Sequence, residues 1–118
     1  MTAHYQHNWQ IYVESWRAAT RDEKIRLFQQ CLATDCCYTD PLTQTIGWEA
    51  LLEYMLDFHQ QIPGGHFVTT WFLAHHGCSI AQWQMRDGSD QVLGTGISYG
   101  SYDNDGKLVS MTGLFEQQ

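Results

Sequence analysis

Asp40 is the acidic residue whose sequence setting most suggests chemistry. It stands in "CCYTDPLTQTIG", residues 36–47, between a short β-prone apolar run and Pro41. A carboxylate is costly to bury unless other groups stabilise it, and in a pocket it is a typical general base. Asp before Pro is also a common turn residue, because its side chain accepts a backbone N–H. Asp40 is therefore either a turn residue or a working acid or base.

Other reactive residue types form no recognisable centre. His75 and His76 are adjacent, so on a strand they would point to opposite faces. The four cysteines lack a C-x-x-C spacing and are expected to be reduced thiols. No H-E-x-x-H, G-x-S-x-G, phosphate loop or dinucleotide fingerprint is present. The sequence therefore predicts a site that uses no metal and no cofactor.

Length and charge limit the classes of partner. The 118 residues fit one domain, 1–118, and 13 acidic against 6 basic residues give a net charge of -7. Nucleic-acid binding depends on clustered Lys and Arg, so we expect no nucleic-acid partner. There is no apolar run of membrane-spanning length and no secretory signal pattern. We expect a cytoplasmic protein without a membrane partner.

Apolar periodicity predicts three helices before residue 63. From Trp9 onward, aromatic and aliphatic residues recur at helical spacing, and Tyr12 and Trp16 belong to that stripe. Thr20 with Glu23 resembles a capping box and opens a second helix. Asp35 suits the turn after it, and a short strand over residues 36–39 follows. An amphipathic third helix, residues 48–62, ends at "PGG".

The chain after His66 is predicted to be an antiparallel meander. Strands are indicated over residues 66–76, 79–85, 92–102 and 107–115. Helices followed by strands predict an α+β domain in which three helices pack on one face of a strongly curved sheet. Alternation places one set of side chains on the covered face: Ala81, Trp83, Met85, Val109, Met111, Gly113 and Phe115.

A run of small residues at period two indicates a cavity over that face. Gly94, Gly96, Ser98 and Gly100 alternate along one strand, which lets a sheet bend and leaves room above it. The alternative is that the first helix packs onto these glycines and fills the space. Trp16 and Trp83 are the best candidates for the pocket wall. The remaining tryptophans, Trp9, Trp48 and Trp71, are expected in the core or a dimer surface.

With this order of elements, the chain resembles the nuclear-transport-factor-2-like superfamily, which includes ketosteroid isomerase and the SnoaL-like polyketide cyclases. The resemblance rests on "YTDP" at 38–41 and "DGKLVSMTGLF" at 105–115. It implies a cone-shaped α+β fold with an internal pocket and places Asp40 at the position of the isomerases' base. It also implies a homodimer that pairs through the sheet.

The same resemblance shows where the chain departs from the isomerases. Trp16 stands at the position of their oxyanion-hole tyrosine, and Ser98 at that of their second, protonated aspartate. Both are weaker donors for a developing enolate, so steroid isomerisation is not the expected reaction. In "HFVTT", His66 stands where some dehydratase-like members carry a histidine base, and is a second catalytic candidate.

The resulting hypothesis is a pocket for a small, apolar, neutral organic molecule. In an enzyme, a cofactor-free isomerase, cyclase or dehydratase, Asp40 would be the base. The residues expected to bind the ligand are Tyr12, Trp16, Trp83, Met85, Ser98, Met111 and Phe115. The alternative is a non-catalytic ligand-binding or dimerisation module of the same fold.

Overall fold

The fold is an α+β arrangement of three helices and a six-stranded sheet. The structure is a computed structural model that describes residues 2–116. The helices are α1 (Thr2–Arg17), α2 (Arg21–Cys31) and α3 (Trp48–Gln61). The strands are β1 (Leu32–Asp40), β2 (Thr43–Ile46), β3 (His66–His75), β4 (Cys78–Arg86), β5 (Val92–Tyr102) and β6 (Leu108–Leu114). The predicted fold class is confirmed.

The sheet is mostly antiparallel and has the order β2-β1-β6-β5-β4-β3. Strands β3 to β6 form the predicted meander, with each strand paired to the next. Strand β1 then lies parallel to β6, with Cys37 opposite Ser110 and Thr39 opposite Thr112. This pairing brings the segment around Asp40 against the end of the meander, which the sequence pattern did not reveal.

A capped helix start and a buried lysine hold the helices together. Thr20 caps α2, since its side chain accepts the backbone N–H of Glu23 at 3.2 Å, as predicted. Lys24 is fully buried, and its Nζ donates to the carbonyl of Ser15 at 2.8 Å and lies 3.0 Å from Nε2 of His59. The ammonium thus satisfies the C-terminal end of α1 and links it to α3. Burial lowers the pKa of Lys24 from 10.5 to about 8.

The segment after α2 differs from the prediction. Strand β1 begins directly after Cys31, so Asp35 lies within the strand and not in a turn. Strand β1 is therefore longer than the predicted residues 36–39, and it forms a hairpin with the unpredicted β2. Strand β2 is short and mostly polar, which is typical of an edge strand and gives little periodic signal.

A bulge changes the inward-facing set at the start of β6. Ser110 pairs with Ser101, but Leu108 pairs with Tyr102, so one extra residue lies between these pairs in β6. Leu108 is therefore fully buried, while Val109, predicted to face inward, is half-buried. The rest of the predicted alternation holds, because Ala81 and Met111 are both buried.

Within residues 2–116, none of the helices is long and apolar enough to cross a membrane.

Candidate functional site

A cavity of about 980 Å³ lies between the helices and the concave face of the sheet. Its lining includes seven of the predicted site residues: Tyr12, Trp16, Asp40, Trp83, Met85, Ser98 and Phe115. Its mouth is marked by the exposed lining residues, which are Leu42, Asp57, Gln61, Leu93, Thr95 and Glu116. Its volume is in the range of small-molecule sites.

The Asp40 carboxylate lies in the cavity wall and accepts four hydrogen bonds. Its Oδ1 accepts the backbone N–H groups of Leu42 at 2.8 Å and Thr43 at 3.1 Å. Its Oδ2 accepts the hydroxyl groups of Tyr38 and Tyr54, both at 2.7 Å. Asp40 is only 9% exposed and forms no ion pair among the described residues. It is thus both a turn residue, through Oδ1, and a buried carboxylate presented to the cavity, through Oδ2.

The phenols around the carboxylate are held in their neutral form. Burial, together with the hydrogen bond to Asp40, raises the pKa values of Tyr38 and Tyr54 above the ordinary value of a tyrosine. Burial also raises the pKa of Tyr12, against the effect of a hydrogen bond from the Trp16 side chain. At neutral pH these phenols are hydrogen-bond donors, not bases. Among the described lining residues, Asp40 is the buried one that carries a carboxylate.

Trp16 is the centre of an aromatic cluster beside Asp40. Its ring centroid lies between 5.3 and 6.1 Å from those of Tyr38, Tyr54, Phe58 and Phe67. Rings at these distances in tilted and edge-to-face arrangements pack favourably. The cluster fixes the wall that carries the two tyrosine donors, and it draws residues from α1, β1, α3 and β3 together.

Trp83 and Ser98 form a second polar contact in the wall. The indole Nε1 of Trp83 donates to Oγ of Ser98 at 2.9 Å. Ser98 therefore uses its oxygen as an acceptor and keeps its own proton for another acceptor. A Cβ on Gly113 would lie 3.6 Å from Cβ of Asp40 and 3.7 Å from Oγ of Ser98, so both side chains border the space over Gly113.

The glycines of β5 were predicted either to border a cavity or to allow close packing, and different glycines do each of these. A Cβ on Gly96 would lie 2.3 Å from Cζ2 of Trp83, and one on Gly100 would lie 3.2 Å from Cζ3 of Trp9. Gly96 thus leaves the space that the Trp83 ring occupies, and Gly100 allows α1 to pack closely. A Cβ on Gly94 would meet only Cε of Met85, at 4.0 Å, so this end of the strand borders open space.

Two predicted site residues lie outside the cavity lining. Met111, near the centre of β6, is 1% exposed and packs within the hydrophobic core, so it does not line the cavity. His66 is also buried, with Nδ1 3.0 Å from the carbonyl oxygen of Gly64 and Nε2 3.2 Å from Oδ1 of Asp90. Its contacts hold the turn after α3 to the β4–β5 hairpin.

The sequence reasoning did not select Tyr38, Tyr54 and Trp9, although all three line the cavity. Tyr38 stands two residues before Asp40 on one strand, so the period of two could have found it. Tyr54 comes from α3, and no local pattern shows that this helix crosses over Asp40. Trp9 was expected in the core or a dimer surface, and it is 2% exposed and part of the core.

The charges of the lining are of one sign. Asp40, Asp57 and Glu116 contribute carboxylates, and the described lining residues include no Lys, Arg or His. Among the residues that the structure describes, no group of three or more His, Cys, Asp or Glu is placed to hold a metal ion.

Comparison with known proteins gives the family. The family model of the SnoaL-like domain matches residues 13–111. A comparison with curated proteins finds no match. A candidate isomerase of the SnoaL-like family from Agrobacterium tumefaciens is 20% identical, with a TM-score of 0.88 over 98% of this chain and 99% of that one.

Two further solved structures share the fold. A candidate SnoaL-like polyketide cyclase from Jannaschia is 11% identical, with a TM-score of 0.76 over 95% of this chain and 85% of that one. A candidate ketosteroid isomerase from Kribbella flavida is 18% identical, with a TM-score of 0.69 over 99% and 81%. At these identities the likeness concerns the fold, whereas the match over residues 13–111 covers most of the chain. The chain belongs to the SnoaL-like domain family.

Proposed function

We propose that the cavity binds a small, largely apolar organic molecule and that Asp40 transfers a proton to and from it without a cofactor. The observation that carries this proposal is the Asp40 carboxylate, which is 9% exposed in the wall of a cavity of about 980 Å³. A charged group is kept buried in this way only where other groups stabilise it.

The proposed chemistry is the abstraction of a proton from a carbon next to a carbonyl group. Asp40 takes the proton, the electron pair of the C–H bond forms a double bond to the carbonyl carbon, and the π pair of the carbonyl group moves to its oxygen to form an enolate. The free hydroxyl proton of Ser98 is available to such an oxygen at the same side of the cavity. Return of the proton from Asp40 to the same or another carbon completes an exchange or an isomerisation.

The hydrogen bonds of Asp40 define what must move during this step. An ionised carboxylate offers about four acceptor positions, and all four are used here. One bond must therefore lengthen before Oδ2 accepts a proton. Tyr54 is half-buried, whereas Tyr38 is 8% exposed, so Tyr54 has more freedom to turn away. Because all four acceptor positions of the Asp40 carboxylate are used, a second candidate function is also favoured. It is a binding site in which Asp40 only orients the ligand and shapes the wall.

The experiment that separates these functions follows the α-protons of 2-tetralone in deuterium oxide by proton NMR. If Asp40 is the base, the protein accelerates the exchange of these protons, and Asp40→Asn lowers the rate by roughly 10²- to 10⁴-fold. Asparagine can keep the Oδ1 contacts to Leu42 and Thr43, so the turn is retained.

Asp35→Asn is the matched control, because it removes the same charge from an exposed position outside the cavity lining. We expect it to exchange 2-tetralone at the rate of the unmodified protein. Exchange that is equally fast with Asp40→Asn would show that Asp40 is not the base. Saturable binding of 2-tetralone without any acceleration would favour the binding function.

A further inference from the structure

The aromatic rings and carboxylates of the cavity point to a particular ligand charge. We propose that the preferred ligand is a cation, an apolar ring system carrying an amine or ammonium group. This inference rests on the proposed function, because it names the ligand class of the same cavity.

The first argument is the charge of the wall. Asp40, Asp57 and Glu116 line the cavity, and the described lining contains no basic side chain. Asp40 has hydrogen-bond donors but no cation within ion-pair distance among the described residues. The chain as a whole carries -7. An anionic ligand would enter against this field, whereas a cation is attracted to it.

The second argument is the arrangement of rings near the mouth. Phe67 contacts Phe58 with ring centroids 5.3 Å apart and Trp83 with centroids 5.1 Å apart, and Trp83 lies 6.1 Å from Phe115. These four rings form a continuous aromatic wall, and each ring offers a face or an edge to the cavity. Cations bind over the faces of Trp and Phe by electrostatic attraction, most strongly where water is excluded.

The third argument joins the two features. Asp57 directly precedes Phe58 in α3, and Glu116 directly follows Phe115 after β6. The two carboxylates of the mouth therefore belong to the two ends of the aromatic wall, on opposite elements of the fold. An ammonium group at the mouth would meet an aromatic ring and a carboxylate together, while the apolar part of the ligand fills the space toward Trp16.

The test uses three molecules with one carbon skeleton: 2-aminotetralin, which is protonated at neutral pH, uncharged tetralin, and tetralin-2-carboxylate. Affinity for the unmodified protein is measured by titration of the tryptophan fluorescence at constant ionic strength. We expect 2-aminotetralin to bind about tenfold more tightly than tetralin, and the carboxylate to bind more weakly than tetralin. Equal affinities for the amine and tetralin would overturn the inference.

Two double variants locate the effect. Asp57→Asn with Glu116→Gln should reduce the preference for the amine over tetralin to less than about threefold, since it removes the carboxylates of the mouth. Asp22→Asn with Asp35→Asn removes the same charge from exposed positions outside the lining, and should keep the preference. A preference lost equally in both would assign it to the overall charge and overturn the proposed site.

Failure of this inference is distinguishable from failure of the proposed function. If the three molecules bind equally while 2-tetralone still exchanges through Asp40, the proton-transfer function stands and the cation preference does not. If none of the tetralin derivatives binds and 2-tetralone does not exchange, both proposals are wrong.

Discussion

The hydroxyl group of Tyr54 lies 2.7 Å from Oδ2 of Asp40. This contact joins α3 to β1 across the cavity wall, and Tyr38 approaches the same oxygen at the same distance from within β1. Two neutral phenols thus share one buried carboxylate oxygen. Hydrogen bonds to a charged group contribute more to stability than neutral ones do, so the two donors are expected to matter for folding as well as for chemistry.

Removal of either phenol hydroxyl should lower the free energy of unfolding. We expect Tyr38→Phe and Tyr54→Phe each to cost roughly 1.5–3 kcal/mol, with the larger effect at the more buried Tyr38. Urea denaturation followed by tryptophan fluorescence measures this. In the Asp40→Asn background the cost of either change should shrink, because the charge is gone. An undiminished cost in that background would mean that the hydroxyl groups do not act through Asp40.

The glycines of β5 give a matched pair of substitutions. Gly96→Ala places a methyl group 2.3 Å from Cζ2 of Trp83 and 2.9 Å from the carbonyl oxygen of Leu114, so the indole ring must move. We expect a loss of roughly 1–3 kcal/mol and a shift of the Trp83 indole N–H signal in NMR spectra. Gly94→Ala meets only Cε of Met85 at 4.0 Å and should change stability by less than about 0.5 kcal/mol. Equal costs for both variants would contradict the described position of Trp83.

The burial of Lys24 predicts a pH dependence of stability. Its pKa is about 8 in the folded protein and 10.5 ordinarily, so between these values the unfolded chain binds a proton that the folded chain lacks. The contribution of Lys24 to the free energy of unfolding should therefore rise with pH above 8, by about 1 kcal/mol up to pH 9. The thiols oppose this rise from about pH 8 onward, because burial raises the pKa of Cys36 from 9.0 to about 11 and that of Cys31 from 9.0 to about 12, so the unfolded chain loses these protons first.

Denaturant midpoints between pH 8 and pH 9 test this assignment. Lys24→Met should lack this contribution, so its free energy of unfolding should change between pH 8 and pH 9 by about 1 kcal/mol less than that of the unmodified protein, while Lys107→Met, which changes the chain's other lysine, should follow the unmodified protein. If both variants show the same rise as the unmodified protein, Lys24 does not titrate in this range.

The outer face of the sheet is expected to pair two copies of the chain. Its exposed apolar residues are Trp71, Leu73, Ile80, Ile97, Tyr99 and Leu114. They are neighbours across four strands, since Ile80 pairs with Leu73 and with Tyr99, and Ile97 pairs with Leu114. A patch of this kind favours association. Light scattering should give twice the chain mass of 13.6 kDa.

Ile80→Lys should shift this mass to that of a single chain. Ile46→Lys, at an exposed position on β2 at the other end of the sheet, should not. A single-chain mass for the unmodified protein over a concentration series would refute the dimer.

Much of the fold could be predicted because local sequence patterns indicate it. The Thr20 cap marks the start of α2, and alternation in β4 correctly places Ala81 and Trp83 on the covered face. Features that depend on distant partners could not be predicted. Lys24 has the sequence appearance of a solvent-facing charge, and its burial depends on the carbonyl groups at the end of α1 and on His59 of α3.

The candidate site was predictable in the same uneven way. Asp40 could be selected from its position before Pro41. From the sequence alone, the turn residue and the base stand as exclusive alternatives. The structure shows that the two carboxylate oxygens have separate environments. The donor to Oδ2 from Tyr54 depends on how α3 crosses β1, which no local spacing records.

The parallel pairing of β1 with β6 also bears on how the protein is made. Thr39 lies opposite Thr112, so the strand that carries Asp40 finds its neighbour almost at the other end of the chain. Contacts between such distant segments carry a larger loop-closure entropy cost than local ones and slow folding. During synthesis the helices and β1 leave the ribosome long before β6. Until β6 is synthesised, the strand that carries Asp40 lacks its parallel neighbour. A nascent chain of that length therefore has no complete cavity for a ligand.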